Sequence, residues 1–247
     1  MRGGVGYVKL TFRRRLGLEL ACIEAVEVLK RFRGVYVNCL GEEGFIKVAG
    51  DVGEVLDALN RLTLTKEVEF NGQVLRPRIP IEVGGIVKSN APHLRPIDAL
   101  LLINLTGAVK GPLLDPFAGL GTIPKVASHV GIFSIGCDLY RLSDVKCDAS
   151  EMPVRRGSIE AIATDPPFNR DFRIRGSLAR LYERFLEASF AVLRPGGSLT
   201  MLAPSYLLSD VLDYSMSIGY EPYCISVDHV HGALSRYFLC LRKPLNQ

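Results

Sequence analysis

Apolar and polar residues alternate through GYVKLTF at residues 6–12, the period of a strand with one buried face. The period then lengthens: Leu18, Ala21, Cys22, Ala25, Val28 and Leu29 recur at helical spacing within residues 16–32. Residues 35–49 read as two strands around the turn Gly41-Glu42-Glu43-Gly44. Val55, Leu56, Leu59 and Leu62 then place an apolar stripe on a helix over residues 52–65. This β-α-β-β-α order predicts a small ferredoxin-like α+β domain over residues 1–70. Periodicity stops in residues 71–95, where Pro77, Pro80, Pro92, Gly72, Gly84 and Gly85 predict an extended linker.

From residue 96 strands and helices alternate. A helix over 96–108 leads to a short strand, Leu113-Leu114-Asp115, and a Gly-rich turn, DPFAGLGT. A helix at 123–129, strands at 131–138 and 159–164, an amphipathic helix at 177–193 and a strand after the tight turn LRPGG follow. After a helix at 209–218, strands at 224–230 and 236–241 lie close enough to pair as an antiparallel hairpin. Repeated β-α units predict a doubly wound, Rossmann-like, mostly parallel sheet over residues 96–247, with its ligand at the carboxyl ends of the strands.

Candidate chemistry collects at those ends. The apolar run Ile159, Ala161, Ile162, Ala163 ends in TDPPFN, residues 164–169. Pro166 holds Asp165 extended, and Pro166 and Pro167 have fixed φ and no N–H. One carboxylate and several carbonyls are thus left as acceptors, able to receive both hydrogens of an –NH₂ group while Phe168 stacks on the ring that carries it. The plainer reading is a strand ending at a tight turn. In DPFAGLGT, Gly119 and Gly121 permit backbone angles closed to other residues, and Thr122 is placed to cap the next helix. Pro124 stands where a dinucleotide fingerprint needs a small residue, and no G-K-[ST] follows, which argues against a P-loop. Asp138, 17 residues beyond Gly121, can accept both hydroxyls of a ribose. An adenosine-containing cofactor without a pyrophosphate fits this set.

Composition narrows the class. The 247 residues are 48% hydrophobic and 23% charged, an ordinary globular balance that excludes disorder. No apolar run reaches the ~18 residues of a membrane helix, and MRGGVGYVKL lacks the apolar core of a signal peptide, so a cytoplasmic protein is expected. The six cysteines form no C-x-x-C pair and read as small core hydrophobes, although scarce Gln and absent Trp hint at a thermophile, in which an intracellular disulfide is admissible. His229 and His231 form H-x-H with no third ligand, so no metal is expected. Residues 1–95 carry 15 Lys+Arg against 11 Asp+Glu, while residues 96–247 carry 15 against 15. The excess suits a phosphate backbone, and Arg13, Arg14, Arg15, Lys30, Arg31 and Arg33 flank the first helix as either an RNA-facing rim or solvated helix ends. Arg170, Arg173 and Arg175 form either a basic lip beside TDPPFN or a solvated loop.

Taken in order, DPFAGLGT, GCD, CDASEMP, TDPPF, LRPGG and HVHGALSRYFLCLRK resemble the S-adenosylmethionine-dependent tRNA guanine-N2 methyltransferases of archaea and eukaryotes over residues 93–243. Residues 1–70, ending in RLTLTKEV, resemble that family's N-terminal ferredoxin-like domain more loosely. The resemblance implies a methyltransferase sheet with S-adenosylmethionine as cofactor and RNA, in particular tRNA, as partner. It implies Asp115, Gly119 and Gly121 around the methionine part of the cofactor, with Phe117 and Thr122 of the same turn in the cofactor site. Asp138 then holds the ribose and Asp148 the adenine amino group, unless Asp148 instead forms an Asx turn before Met152-Pro153. Asp165, Pro166, Pro167 and Phe168 face the target base.

The chain departs from the family pattern in three places. The family usually carries a THUMP RNA-binding domain where about 25 residues stand here, which admits a protein partner supplying that module. Only nine residues separate Asp138 from Asp148, too few for a crossover helix. Phe168-Asn169 replaces the more frequent Tyr-Gly, and Leu100 a frequent Arg. Two other readings stay open: a DNA adenine-N6 methyltransferase, and a cofactor-binding RNA-binding subunit that needs a partner.

Overall fold

Residues 5–77, 94–139, 143–167, 178–231 and 234–246 are described by the structure, a computed structural model, and they fall into two units, Met1–Glu82 and Val83–Gln247. In the first unit the elements are β1 (Val5–Phe12), α1 (Leu18–Leu29), β2 (Val35–Leu40), β3 (Glu43–Ala49), α2 (Val52–Leu59), β4 (Thr65–Phe70) and β5 (Gln73–Leu75). They build an antiparallel sheet in the order β2-β3-β1-β4-β5, the ferredoxin-like arrangement with one strand added at the edge. Val8, Leu10 and Phe12 of β1 and Ile46 and Val48 of β3 form its core with Leu20, Ala25, Val28 and Leu29 of α1.

Helix α2 ends at Leu59, earlier than its apolar stripe suggests. The cause is a side chain 39 residues away: buried Glu24 of α1 accepts the Thr63 N–H and hydroxyl at 2.8 Å and the Leu64 N–H at 2.9 Å. Those N–H groups are withdrawn from the helix, and RLTLT becomes the entry to β4. The six cysteines are not independent core residues, as their spacing suggested, but form the pairs Cys22–Cys39, Cys137–Cys147 and Cys224–Cys240. Strand β5 occupies the start of the stretch read as a linker; residues 78–93 of that stretch lie outside the described residues.

The second unit runs α3 (Pro96–Thr106), β6 (Leu113–Asp115), α4 (Thr122–His129), β7 (Ser134–Asp138), β8 (Val145–Lys146), β9 (Ile159–Thr164), α5 (Leu178–Val192), β10 (Leu193–Pro204), α6 (Leu208–Ser217), β11 (Glu221–His231) and β12 (Leu234–Arg242). Its sheet has the order β11-β12-β10-β9-β6-β7-β8, in which β12 alone runs antiparallel to its neighbours. The last two strands pair as a hairpin, and β12 inserts between β11 and β10. Helix α3 is apolar on nearly all sides and buried from Asp98 to Thr106, and β10 fastens it: the Ser198 and Thr200 hydroxyls donate to the carbonyls of Thr106 and Leu102 at 2.7 and 2.8 Å. Sequence order reverses between β6 and β9, which makes their carboxyl ends the switch point where doubly wound sheets bind ligands. Among the described residues, no helix is long and apolar enough to cross a membrane.

Candidate active site

Three aspartates mark the carboxyl ends of three adjacent strands: Asp115 closes β6, Asp138 closes β7 and Asp165 follows β9. Asp115 is 2% exposed, and its Oδ1 accepts the Thr164 hydroxyl at 2.7 Å and the Phe117 N–H at 3.3 Å. Burial pushes its carboxyl up to about 7 against those two hydrogen bonds, and the nearby Asp165 and Asp138 carboxylates add to the rise. Such a set of carboxylates repels anions and suits a ligand that carries positive charge.

The turn after β6 is built to leave space. Gly119 (φ 48°) and Gly121 (φ 75°) take left-handed angles, and a Cβ at Gly119 would meet nothing within 4 Å. The Gly119 N–H donates to Asp138 Oδ2 at 2.8 Å, which ties the turn to the neighbouring strand end. Thr122 does not cap α4, as its place after the glycines suggested: it is the first helical residue, and the cap position is Gly121, without a side-chain cap bond. The left-handed angle at Gly121 starts the helix one residue earlier and leaves the Thr122 side chain buried. Phe117 directs its ring inward, edge-on to Phe185 of α5 with centroids 5.1 Å apart.

No helix lies among the described residues between β7 and β8; residues 140–142 fall outside them. Instead the Asp144 carboxylate accepts the Gly136 N–H at 2.7 Å, the Cys147 N–H donates to the Asp138 carbonyl at 2.9 Å, and the Cys137–Cys147 pair joins the two strand ends. Asp148, next in the chain, is exposed and folds an Asx turn in which Oδ1 accepts the Ser150 N–H at 2.8 Å and hydroxyl at 2.7 Å. Those bonds, led by the backbone one, hold its carboxyl below the usual range.

Asp165 sits where β9 ends. The residue as a whole is half-buried, yet its Oδ1 is enclosed and has no hydrogen-bond partner among the described residues. Burial pushes its carboxyl up to about 7; the Arg236 guanidinium opposes the rise and the Asp98 carboxylate adds to it. Pro166 is buried, and the carbonyl of Pro167 accepts the Tyr182 hydroxyl of α5 at 3.3 Å. Phe168 and the arginines at 170, 173 and 175 lie outside the described residues.

Behind Asp165 stands an ion cluster that the linear motifs do not disclose. Arg236 of β12 donates to Asp228 of β11 at 2.9 and 3.0 Å and to Asp98 of α3 at 2.7 Å. Arg95 adds two bonds to Asp98, at 2.7 and 2.9 Å. Burial of Asp98 is outweighed by these two cations, which hold its carboxyl below the usual range. A charged residue within the otherwise apolar run PIDALLLI is the sequence signal for Asp98, and a tyrosine in the apolar stripe of LARLYERF is the signal for Tyr182.

No family model matches the chain. A tRNA (guanine(10)-N2)-dimethyltransferase of Methanothermobacter thermautotrophicus is 28% identical over 216 residues, which are 75% of this chain and 63% of that protein. One from Pyrococcus abyssi is 33% identical over 255 residues, 94% of this chain and 74% of that protein. The chain thus spans less than two thirds of the length of the first of these relatives. Among solved structures, TrmN from Thermus thermophilus aligns with a TM-score of 0.53 at 19% identity, covering 96% of this chain and 99% of its own. A methyltransferase from Pyrococcus furiosus aligns with a TM-score of 0.50 at 15% identity, covering 67% and 92%. The two structures show the fold.

Proposed function

This chain belongs to the tRNA (guanine(10)-N2)-dimethyltransferase family, and from that premise we propose that it transfers a methyl group from S-adenosylmethionine to the exocyclic N2 amine of guanine in RNA, with tRNA as substrate. The observation that carries the reading is the enclosed Asp165 Oδ1, an acceptor with no partner among the described residues, at the carboxyl end of the strand beside the switch point. A buried acceptor left unpaired costs stability unless a ligand donates to it. An amine hydrogen of the target base supplies that donor.

The donor set fits the cofactor. Three converging carboxylates suit a molecule that carries a sulfonium and an ammonium, and the open space at Gly119 admits it against the backbone. When bound, S-adenosylmethionine supplies an electrophilic methyl group. Asp115, Gly119 and Gly121 hold its methionine end with Phe117 and Thr122 in the surrounding wall, and Asp138 accepts from the ribose; Asp148, engaged in its Asx turn with Ser150, is not assigned to the adenine amine. The carboxylate of Asp165 and the carbonyl of Pro166 receive the two amine hydrogens of guanine, which orients the nitrogen lone pair. Tyr182, through the Pro167 carbonyl, steadies that loop. With a carboxyl near neutrality, Asp165 Oδ1 can also take the proton that the methylated nitrogen sheds. Phe168 stacks on the base once it leaves its helix. The reading puts the reaction in the cytoplasm.

The test incubates the purified chain with labelled S-adenosylmethionine and either total tRNA or duplex DNA, and identifies the product nucleoside by mass spectrometry. N2-methylated guanosine from tRNA is expected. Methyladenine from DNA sinks the reading, and product only after a second protein is added assigns the RNA grip to a partner. Asp165→Ala abolishes transfer while cofactor binding, followed by calorimetry, persists; full activity in that variant would falsify the assigned mechanism.

A further inference from the structure

Three exposed aromatic rings on the first unit take no part in the chemistry above. The sheet of β1, β2 and β3 buries Val8, Leu10, Ile46 and Val48 on its helix side, so the alternate residues stand on the open face. There Tyr7 and Tyr36 are 67% and 68% exposed, and Phe45 is 41% exposed. Strand register gathers them. Lys47 lies opposite Tyr7 on one side and opposite Tyr36 on the other, so Tyr36, Lys47 and Tyr7 make one row across three strands. In the next row on this face Phe45 lies between Asn38 and Lys9. Opposite side chains in such pairs start about 5 Å apart, close enough to act as one surface. Tyr7, Lys9, Phe45, Glu69 and Asn71 also line one shallow depression.

The rings alternate with polar side chains, each having a lysine or an asparagine beside it, while exposed Val5 and Leu40 stand at the margins of the same face. Lysine is depleted from the cores of protein–protein interfaces, whereas interleaved rings and cations are what stacked bases and a phosphate chain require. Lys9 is engaged by Glu43 at 2.7 Å, while Lys47 has no ion pair among the described residues. Glu67 and Glu69 of β4, opposite Thr11 and Lys9, make this edge of the platform acidic, with Glu69 inside the depression, so the phosphate chain is directed to the Lys47 side.

We propose that the open face of this sheet is a stacking platform for a single-stranded stretch of RNA. Tyr7, Tyr36 and Phe45 stack about two or three bases, Lys47 meets the phosphate between them, and Asn38 offers both a donor and an acceptor to a base edge. The identity of the ligand rests on the RNA-substrate reading above; the surface belongs to the first unit and the strand ends of that reading to the second.

Fluorescence anisotropy of the full chain with a short, labelled, unstructured oligoribonucleotide tests this. Tyr7→Ala, Tyr36→Ala and Phe45→Ala are each expected to weaken binding about tenfold, Tyr7→Phe and Tyr36→Phe to restore most of it, and all to melt like the parent chain because the residues are exposed. Lys47→Ala should reduce the slope of log affinity against log salt by about 0.7. Unchanged affinity in the triple alanine variant overturns the proposal. So does an equal loss for duplex RNA, whose paired bases present no free face, and so does a parent chain that dimerises through these rings and a triple variant that does not. Cofactor binding and methyl transfer are measured on the same preparation. A chain that binds the oligonucleotide through its rings but transfers no methyl group to any RNA supports the platform and removes the proposed reaction.

Discussion

Asp165 is held between opposite influences, and their signs make a test. Arg236 favours its charged form and Asp98 disfavours it, on top of burial that pushes the carboxyl up to about 7. As an acceptor of amine hydrogens Asp165 works ionised, so activity should rise with pH through that region. Removing the Arg236 charge raises the Asp165 pKa further; removing the Asp98 charge lowers it. The acid limb of kcat/KM is therefore expected at higher pH in Arg236→Gln and at lower pH in Asp98→Asn, read from pH–rate profiles. Both variants disturb a buried ion cluster, at a cost of roughly 3–5 kcal/mol when a partner is lost. Melting curves will show that cost with the same sign in both. Opposite displacements of the pH profile separate an electrostatic role from a merely structural one.

At the scale of elements, the segment Asp165–Pro167 depends on a helix that follows it in sequence. Helix α5 places Tyr182, 2% exposed, so that its hydroxyl donates to the Pro167 carbonyl. Tyr182→Phe keeps the packing and deletes the bond, whose net worth is about 1 kcal/mol. Expected is a loss in kcat of up to about tenfold with cofactor affinity unchanged, measured by initial rates and calorimetry; equal loss in both would assign Tyr182 to the fold alone. Elements with strong periodicity, α1 and α5 among them, were legible because their apolar stripes are long. Strand β4 was not, because TKEVEF buries only Thr65 and Val68 and its charged residues hide the alternation. The true end of α2 was hidden for a different reason: Glu24, distant in sequence, captures the backbone there. The β7–β8 connection was legible as too short for a helix, but the bonds that replace the helix were not.

For the whole molecule, the net basic excess and the proposed chemistry lie in different parts of the chain. Residues 1–95 hold 15 basic against 11 acidic side chains, and residues 96–247 hold 15 of each. RNA affinity should therefore fall with salt through the first part, while methyl transfer depends on the second. Asp165→Ala is expected to keep the salt slope of the parent chain for tRNA while transferring nothing, as followed by filter binding across a salt series. A variant that loses both together would place the grip on RNA at the strand ends instead.

Local chemistry sufficed for much of this protein. Alternation of strand and helix, glycines where the chain turns left-handed, prolines that stiffen Asp165 and aspartates at strand ends all follow from preferences of a few adjacent residues, so the order of residues determined them. Which ends meet was decided only in three dimensions. Asp115, Asp138 and Asp165 become one site because β6 lies between β7 and β9, and Arg236 reaches Asp98 across 138 residues because β12 inserts beside β10. Cysteine pairing follows from the same neighbourhood of strands, not from spacing. Burial, which moves Asp115 and Asp165 to about 7, depends on everything packed around them and is written in no single stretch of the chain.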